Sequence, residues 1–378
     1  TPASSEEGRT MPARKRKYTQ TDIGAWAGDS GGINVLIERN GVLTRIDMTA
    51  EITPSATLAG ANMPDGLFRV FQNTTIRGGS HTYVTLPAQD PCGGGILMHY
   101  LNRKDFRMVG HGRATIVAPS RTYNPITFRY HFGSRPQNLF GQDNPFDMSA
   151  FIPANKESSL SFIITTSGND VMDDTVTISS GTYRFELSII QGTEGEIREE
   201  IGLQGVQYPP SAPMGMVPAW IAELFAHTAT GSDYSVKRDL QTGGWLKRIA
   251  IIEQDETATR AVRAHDQVTG VSIDLSSQSE QLIRSFMDSY FNSLDGSTNT
   301  VTNDTAPEFQ GGYAAHGIII LDLRPHAKGH SDYGLDLRAL QTGQVKLGLT
   351  ITTYTSGDAS LILQERYMAN PFQSLSGL

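Results

Sequence analysis

The sequence predicts an all-β chain of two tandem β-sandwiches. Three observations lead there. Apolar and polar residues alternate with period two over many short stretches, the mark of half-buried strands. The two halves close on similar strand pairs, "LSFIITTSG" then "TYRFELSII", and "LGLTITTYTSG" then "ASLILQERY". The chain has 378 residues, room for two ordinary domains, and its 38 Gly and 18 Pro supply many turns.

Residues 1–40 read as an N-terminal arm, polar and charged, with Ile23 and Trp26 as apolar anchors. The opening "TPASSEEGRTMPARKRKYTQ" lacks the apolar core of a secretory signal, and Met11 offers an alternative start. The run Arg14-Lys15-Arg16-Lys17 stands out on a chain of net charge −8. It is either a solvated tail or a contact for phosphates on lipid headgroups or nucleic acid.

The first sandwich is expected over 41–192. In "GVLTRIDMTAEI", Val42, Thr44, Ile46, Met48, Ala50 and Ile52 share one face, and Arg45, Asp47, Thr49 and Glu51 share the other. Further strands are predicted at "LFRVFQNTTI", "HTYVTL", "ITFRYHF", "SLSFIITT" and "TYRFELSII". One helix interrupts them: "GGGILMHYLNRKDF" spaces Ile96, Leu97, Tyr100 and Leu101 as a helix does.

Residues 193–219 read as a linker, charged and then proline-rich in "YPPSAPMGMVP". Glu194, Glu196, Glu199 and Glu200 are expected on the solvated face of a short helix. The second sandwich is expected over 220–368, with strands at "DYSVKRDL", "WLKRIAIIEQD", "VTGVSIDL", "HGIIILDL", "QVKLGLTITT" and "SLILQERY". Between them, "SSQSEQLIRSFMDSYFNSL" predicts an inserted helix. Leu282, Ile283, Phe286, Met287, Tyr290, Phe291 and Leu294 form its stripe, and Ser277 with Glu280 its capping box. Residues 369–378 read as a C-terminal tail.

Composition excludes several function classes. The acidic balance argues against a body that coats nucleic acid. No apolar run approaches the about 18 residues that a membrane helix needs. The one cysteine, Cys92, permits neither an internal disulfide nor a cysteine zinc knuckle, and with no basic partner near it in sequence it reads as inert. There is no Walker loop and no G-x-G-x-x-G. Gly93 to Gly95 read as a turn or cap, as does His111 between glycines. The sequons at Asn73 and Asn303 matter only in a secretory context. His326 and His330 stand four apart in "RPHAKGHSDYGLD", a zinc-helix spacing, but Pro325 and Gly329 oppose a helix there. A polar loop without a metal is expected. Catalytic residues, metals and cofactors are therefore expected to be none.

Sandwiches of about eight strands are usually immunoglobulin-like or jelly rolls. A Cys…Trp…Cys framework is missing, and the inserted helices favour two tandem jelly rolls. At this level the chain resembles a known family, the double jelly-roll major capsid proteins of tailless icosahedral viruses with an internal membrane, tectivirus-like in organisation. The stretches that carry the resemblance are "FIPANKESSLSFIITTSG" (Phe151 to Gly168), "DYSVKRDLQTGGWLKRIAIIEQD" (Asp233 to Asp255), "VTGVSIDLSSQSEQLIRSFMDSYF" and "GIIILDLRPHAKGHSDYGLDLRALQTGQVKLGLTITT". They look like a late strand pair of the first roll, and the opening strands, strand-to-helix crossover and closing hairpin of the second. The match covers most of residues 41–368 and departs in the arm and in the tail "NPFQSLSGL".

The resemblance implies a shell protein, not an enzyme. It would self-assemble as homotrimers of pseudo-hexagonal outline that tile an icosahedral double-stranded DNA virion, after passing through the host cytoplasm. Minor and vertex capsid proteins would be its partners, the arm would lie near the internal membrane, and no small-molecule substrate is implied. Two alternatives stay open. One is a minor or vertex capsid protein of the same fold. The other is a carbohydrate-binding or carbohydrate-active tandem sandwich, with Trp220, Tyr234 and Trp245 as an exposed sugar platform.

Overall fold

The computed structural model describes residues 13–20, 25–26, 32–54, 71–86, 124–135, 144–166, 178–227, 231–255, 262–263, 268–275, 278–283, 318–323, 333–354 and 358–374. The first half contributes β1 (Arg14–Gln20), β2 (Ala25–Trp26), β3 (Gly32–Leu36), β4 (Val42–Pro54), β5 (Phe71–Gly78), β6 (Thr82–Leu86), β7 (Asn124–His131), β8 (Leu160–Thr166) and β9 (Ile178–Gln191). A helix, α1 (Glu194–Leu203), follows. The second half contributes β10 (Met216–Pro218), β11 (Trp220–Ala226), β12 (Gly231–Asp239), β13 (Trp245–Asp255), β14 (Val262–Arg263), β15 (Val268–Leu275), β16 (Gln278–Ile283), β17 (Ile318–Asp322), β18 (Leu335–Asp336), β19 (Val345–Tyr354) and β20 (Ala359–Ala369).

The two halves repeat one strand order. In the first, a sheet of order β1-β9-β4-β7 packs on one of order β3-β8-β5-β6. In the second, β11-β20-β13-β17 packs on β12-β19-β15-β16. Counted within each half, both arrangements are the two four-stranded sheets of an eight-stranded jelly roll. The short strands β2, β10, β14 and β18 are additions that pair with β9, β20, β13 and β13. The similar closing pairs of the sequence are β8–β9 and β19–β20, and they hold equivalent places in the two rolls.

The rolls are not beads on a string. Strand β6 of the first pairs in parallel with β11 of the second, Trp220 opposite Val84 and Ile221 opposite Thr85. That pairing merges one sheet from each roll into an eleven-stranded sheet. One hydrophobic cluster accordingly crosses the junction, joining Val84, Phe132 and Phe162 to Trp220, Ala250, Leu361 and Leu363. A second cluster fills the second roll, around Ile249, Ile251, Ile273, Leu347 and Leu349. Each such side chain contributes about 1.5–3 kcal/mol on burial.

Strand β4 shows how pattern becomes packing. Leu43, Ile46, Met48 and Ala50 line the core opposite Ile189, Leu187, Phe185 and Tyr183 of β9. A bulge between Leu43 and Arg45 shifts the register. Leu43 therefore faces this core in place of Val42 and Thr44, and the Thr44 hydroxyl donates to carbonyls of Pro145 (2.6 Å) and Ser188 (3.0 Å). The outward residues Arg45 and Asp47 are only 6% and 8% exposed. They pair with each other at 2.5 Å, and Asp47 also accepts from Arg129 Nε at 2.9 Å. The turn into β4 needs Gly41: its φ is +131°, and a Cβ there would stand 2.3 Å from the Ile190 carbonyl oxygen.

Two expectations are corrected. Gln278 to Ile283, the predicted start of a helix, form β16 and run antiparallel to β15 from Leu275↔Gln278 to Gly270↔Ile283. Pairing with a neighbouring strand outweighs the local helical spacing of Leu282 and Ile283. The rest of that stretch, like the expected helix at 93–106, lies outside the described residues. The basic run is likewise no arm: Arg14 to Lys17 open β1, which pairs antiparallel with β9 from Arg14↔Gln191 to Gln20↔Phe185.

The expected linker is an ordered connection. Thr193 caps α1 and forms a reciprocal capping box with Glu196. Ile197 is buried among Ala13, Val42, Met148, Phe151 and Ile190.

Candidate functional site

Two features of the fold gather charged and polar side chains: a polar seam between the rolls, and the basic strand at the rim of the first.

The seam begins on β20, where the Glu365 carboxylate is 2% exposed. It pairs with Lys247 Nζ at 3.2 Å and with Arg248 Nε, and it accepts from Tyr367 Oη at 2.8 Å. Burial alone would raise its pKa. The two cations and the hydroxyl outweigh burial and hold the carboxyl far below the usual carboxylate range. Two tyrosines of the second roll then reach the first. Tyr333 Oη donates to the Ser149 carbonyl at 2.7 Å, and Tyr367 Oη also faces the Gly133 carbonyl at 3.5 Å. Their rings meet edge-on, centroids 5.9 Å apart.

On the first roll's side the receiving segment is 144–157, held by buried Asp147. Its carboxylate accepts from the Ser149 amide and hydroxyl, both at 2.9 Å, and faces His131 Nε2 at 3.7 Å. Burial would raise this carboxyl, but the His131 and Ser149 contacts bring it below its ordinary value. Gly133 is required beside it, since a Cβ would stand 2.2 Å from Asp147 Oδ2. Nearby, Gln204 at the end of α1 bonds the Met148 amide, the Phe146 carbonyl and Glu200.

The C-terminal residues add a strap. Asn370 donates from its amide and side chain to the carbonyls of Gly215 (2.9 Å) and Met214 (3.0 Å). Phe372 lies edge-on to His81 at 5.3 Å, and His81 Nδ1 is 3.1 Å from buried Glu157. Ser374 Oγ donates to Glu194 at 2.5 Å. The tail of the second roll thus rests on the first roll and on α1.

The four basic residues divide by face. Lys15 pairs with Glu200 of α1 at 2.6 Å, and Lys17 with Glu186 of β9 at 2.8 Å. Glu200 is 4% exposed, so it is not the solvated residue expected from sequence. Arg14 and Arg16 point the other way along the alternating strand, and both are exposed. A phosphate contact by this run would therefore fall to Arg14 and Arg16.

The remaining candidates resolve as follows. Trp220 and Trp245 are 3% and 2% exposed, so neither belongs to an open sugar platform. Tyr234 is on β12, its side chain outside the described set. His326, His330, Cys92, His111 and Asn303 lie outside the described residues, and Asn73 is on β5. Among the described residues no cluster of His, Cys, Asp and Glu could hold a metal. Among them, no helix is long and apolar enough to cross a membrane. Sequence reasoning missed the buried ions of the seam. The signal was the triplet Gln364-Glu365-Arg366 inside the otherwise apolar strand "ASLILQERYMA".

No protein-family model matches this chain, and no curated protein does. Solved structures do. The crystal structure of the STIV major capsid protein aligns with a TM-score of 0.62 at 17% identity, over 94% of this chain and 97% of that one. The atomic structure of Sulfolobus Turreted Icosahedral Virus gives a TM-score of 0.62 at 17% identity, over 94% and 92%. The PBCV-1 virus capsid gives 0.51 at 13%, over 95% and 94%. The chain shares the double jelly-roll fold of these proteins along nearly its whole length.

Proposed function

We propose that this protein is a major capsid protein that works by self-assembly and has no catalytic residues. The observation that carries the reading is the repeated strand order fused through β6 and β11. Each chain thereby offers two near-equivalent blocks in a rigid side-by-side pair. Three such chains about a threefold axis present six blocks, a pseudo-hexagonal outline that tiles a shell. The whole-length likeness to capsid proteins of icosahedral viruses supports the same reading.

On this reading the chain resides in the virion shell, reached from the host cytoplasm. Its partners are further copies, minor and vertex capsid proteins, and an internal membrane. The test is the mass and shape of the purified full-length chain. Sedimentation and electron microscopy are expected to give trimers of hexagonal outline, whereas a chain that stays monomeric at micromolar concentration overturns the proposal. Copy number per particle separates a major from a minor or vertex role.

A further inference from the structure

On the flank of the first roll away from the second, the outermost strands among the described residues are β1 and β3. Phe162 of β8 and Phe185 of β9 meet at 5.0 Å, so those strands face each other across the sandwich. The next strands outward, β3 and β1, end their sheets on the same side. Strand β1 pairs with β9 on one edge, and its other edge has no partner strand among the described residues. Arg16 and Tyr18 stand opposite Ile189 and Leu187, on the face that lines the core, yet both are exposed. The core therefore stops short of the rim, and β1 overhangs it. Tyr18 and Leu36 of β3, 47% and 67% exposed, are two of the three large hydrophobics exposed among the described residues.

Such an edge is a template for an added strand or an extended segment. Its charge narrows the occupant. Two copies of β1 pairing antiparallel over their full length would set Lys17 opposite Lys17 and gather both copies' four cations into one strand pair, a like-charge concentration that opposes the contact. An isologous contact is thereby disfavoured. A heterologous one, edge to a different surface of the next copy, is favoured because four of the chain's cations sit here while the whole chain is −8. With Lys15 and Lys17 held by internal carboxylates, Arg14 and Arg16 are the charges available to that surface.

We infer that β1 is a docking edge for an acidic surface of a second copy of this chain, joined head to tail, with Arg14 and Arg16 as its cations and Tyr18 as its apolar contact. The inference rests on the capsid reading and names one contact through which copies meet.

The test compares the full-length chain with the double variant Arg14→Glu, Arg16→Glu. The wild type is expected to assemble at low salt and to weaken as salt rises. The variant should associate at least about tenfold more weakly while its monomer keeps the wild-type circular dichroism and melting temperature. Amides of residues 14–20 should gain protection from hydrogen exchange in the wild-type oligomer relative to the dilute monomer, a readout that needs no variant. Equal assembly by both proteins, with no gain in protection, overturns the contact and leaves the capsid reading standing. If assembly is equal and only the variant loses retention on phosphatidylserine-containing vesicles, the edge serves lipid phosphates and the inference falls. A wild type that never assembles overturns the capsid reading and this contact together.

Discussion

Strands β1 and β11 hold the same place in the two rolls, the outer strand beside the last one, and have opposite compositions. The first reads "RKRKYTQ" and the second "WIAELFA". Among the described residues β1 has one neighbouring strand, β9, and β11 has two, β20 and β6. Burial follows pairing: Arg14 to Thr19 are all exposed, whereas Trp220 and Ala222 are 3% and 5% exposed. A topological position does not dictate its residues. What dictates them is whether a strand edge ends in water or continues into another sheet. The strands beside them repeat the contrast, with Glu186 of β9 half-exposed and Glu365 of β20 buried between cations.

The largest effect should come from breaking that contrast at its apolar end. Trp220→Ala opens a cavity at the junction beside Phe132, whose ring centroid lies 5.9 Å from that of Trp220. Urea unfolding should show a loss of about 3–5 kcal/mol, while Tyr18→Ala on β1 should stay within about 0.5 kcal/mol. Similar losses at the two sites would contradict the claim that β11 is interior and β1 rim.

Next comes the ion pair. Glu365→Ala leaves Lys247 and Arg248 without their carboxylate in a buried site and should cost about 3 kcal/mol. Glu186→Ala should cost no more than about 1 kcal/mol, because Lys17 remains solvated and Arg45, 4.0 Å away, keeps its pair with Asp47. The salt dependence discriminates further: added salt should erase the Glu186 effect and leave the Glu365 effect nearly intact.

A smaller effect is expected at Asp147, with a pH signature. Its folded carboxyl lies below the ordinary value, so ionised Asp147 stabilises the fold above the unfolded carboxylate range near about 3.9. That contribution is lost as pH falls through the folded value. Asp147→Asn should therefore cost about 1–2 kcal/mol at neutral pH. The gap to wild type should close as pH falls below the unfolded range. A gap independent of pH would mean that shape, not charge, matters at this position.

How much of this was legible beforehand follows the same division. Strands with one wet face announced themselves by alternation, as in Tyr183, Phe185 and Leu187 against Arg184 and Glu186. The repeat was visible in the closing pairs because β8 and β19 face equivalent cores. The strands without a two-state alternation were missed. β1 is polar on both faces, β3 is short and ends in an exposed leucine, and β11 gains its second neighbour only when the rolls join. β16 was misread because "SEQLIR" satisfies a helical pattern locally, and only pairing with β15 settles it. The seam was invisible for another reason. Tyr333 and Ser149 are 184 positions apart, and no local pattern encodes their contact.

The smallest effect is expected on β1 itself, where the two engaged lysines should differ. Lys17 joins Glu186 with half of its side chain in water, and Lys17→Ser should change stability by no more than about 0.5 kcal/mol. Lys15 joins Glu200, whose side chain is 5% exposed and whose remaining bond in this site is to Gln204 Nε2 at 2.7 Å. Lys15→Ser removes the charge that balances a desolvated carboxylate and should cost about 1 kcal/mol more than Lys17→Ser. Unfolding curves of the two single variants, read against Glu200→Gln and the Lys15→Ser/Glu200→Gln double variant, check this through the coupling energy. A coupling near zero would mean that Lys15 is solvated in practice. Arg14, Lys15 and Arg16 would then be available to a neighbouring surface, instead of Arg14 and Arg16 alone.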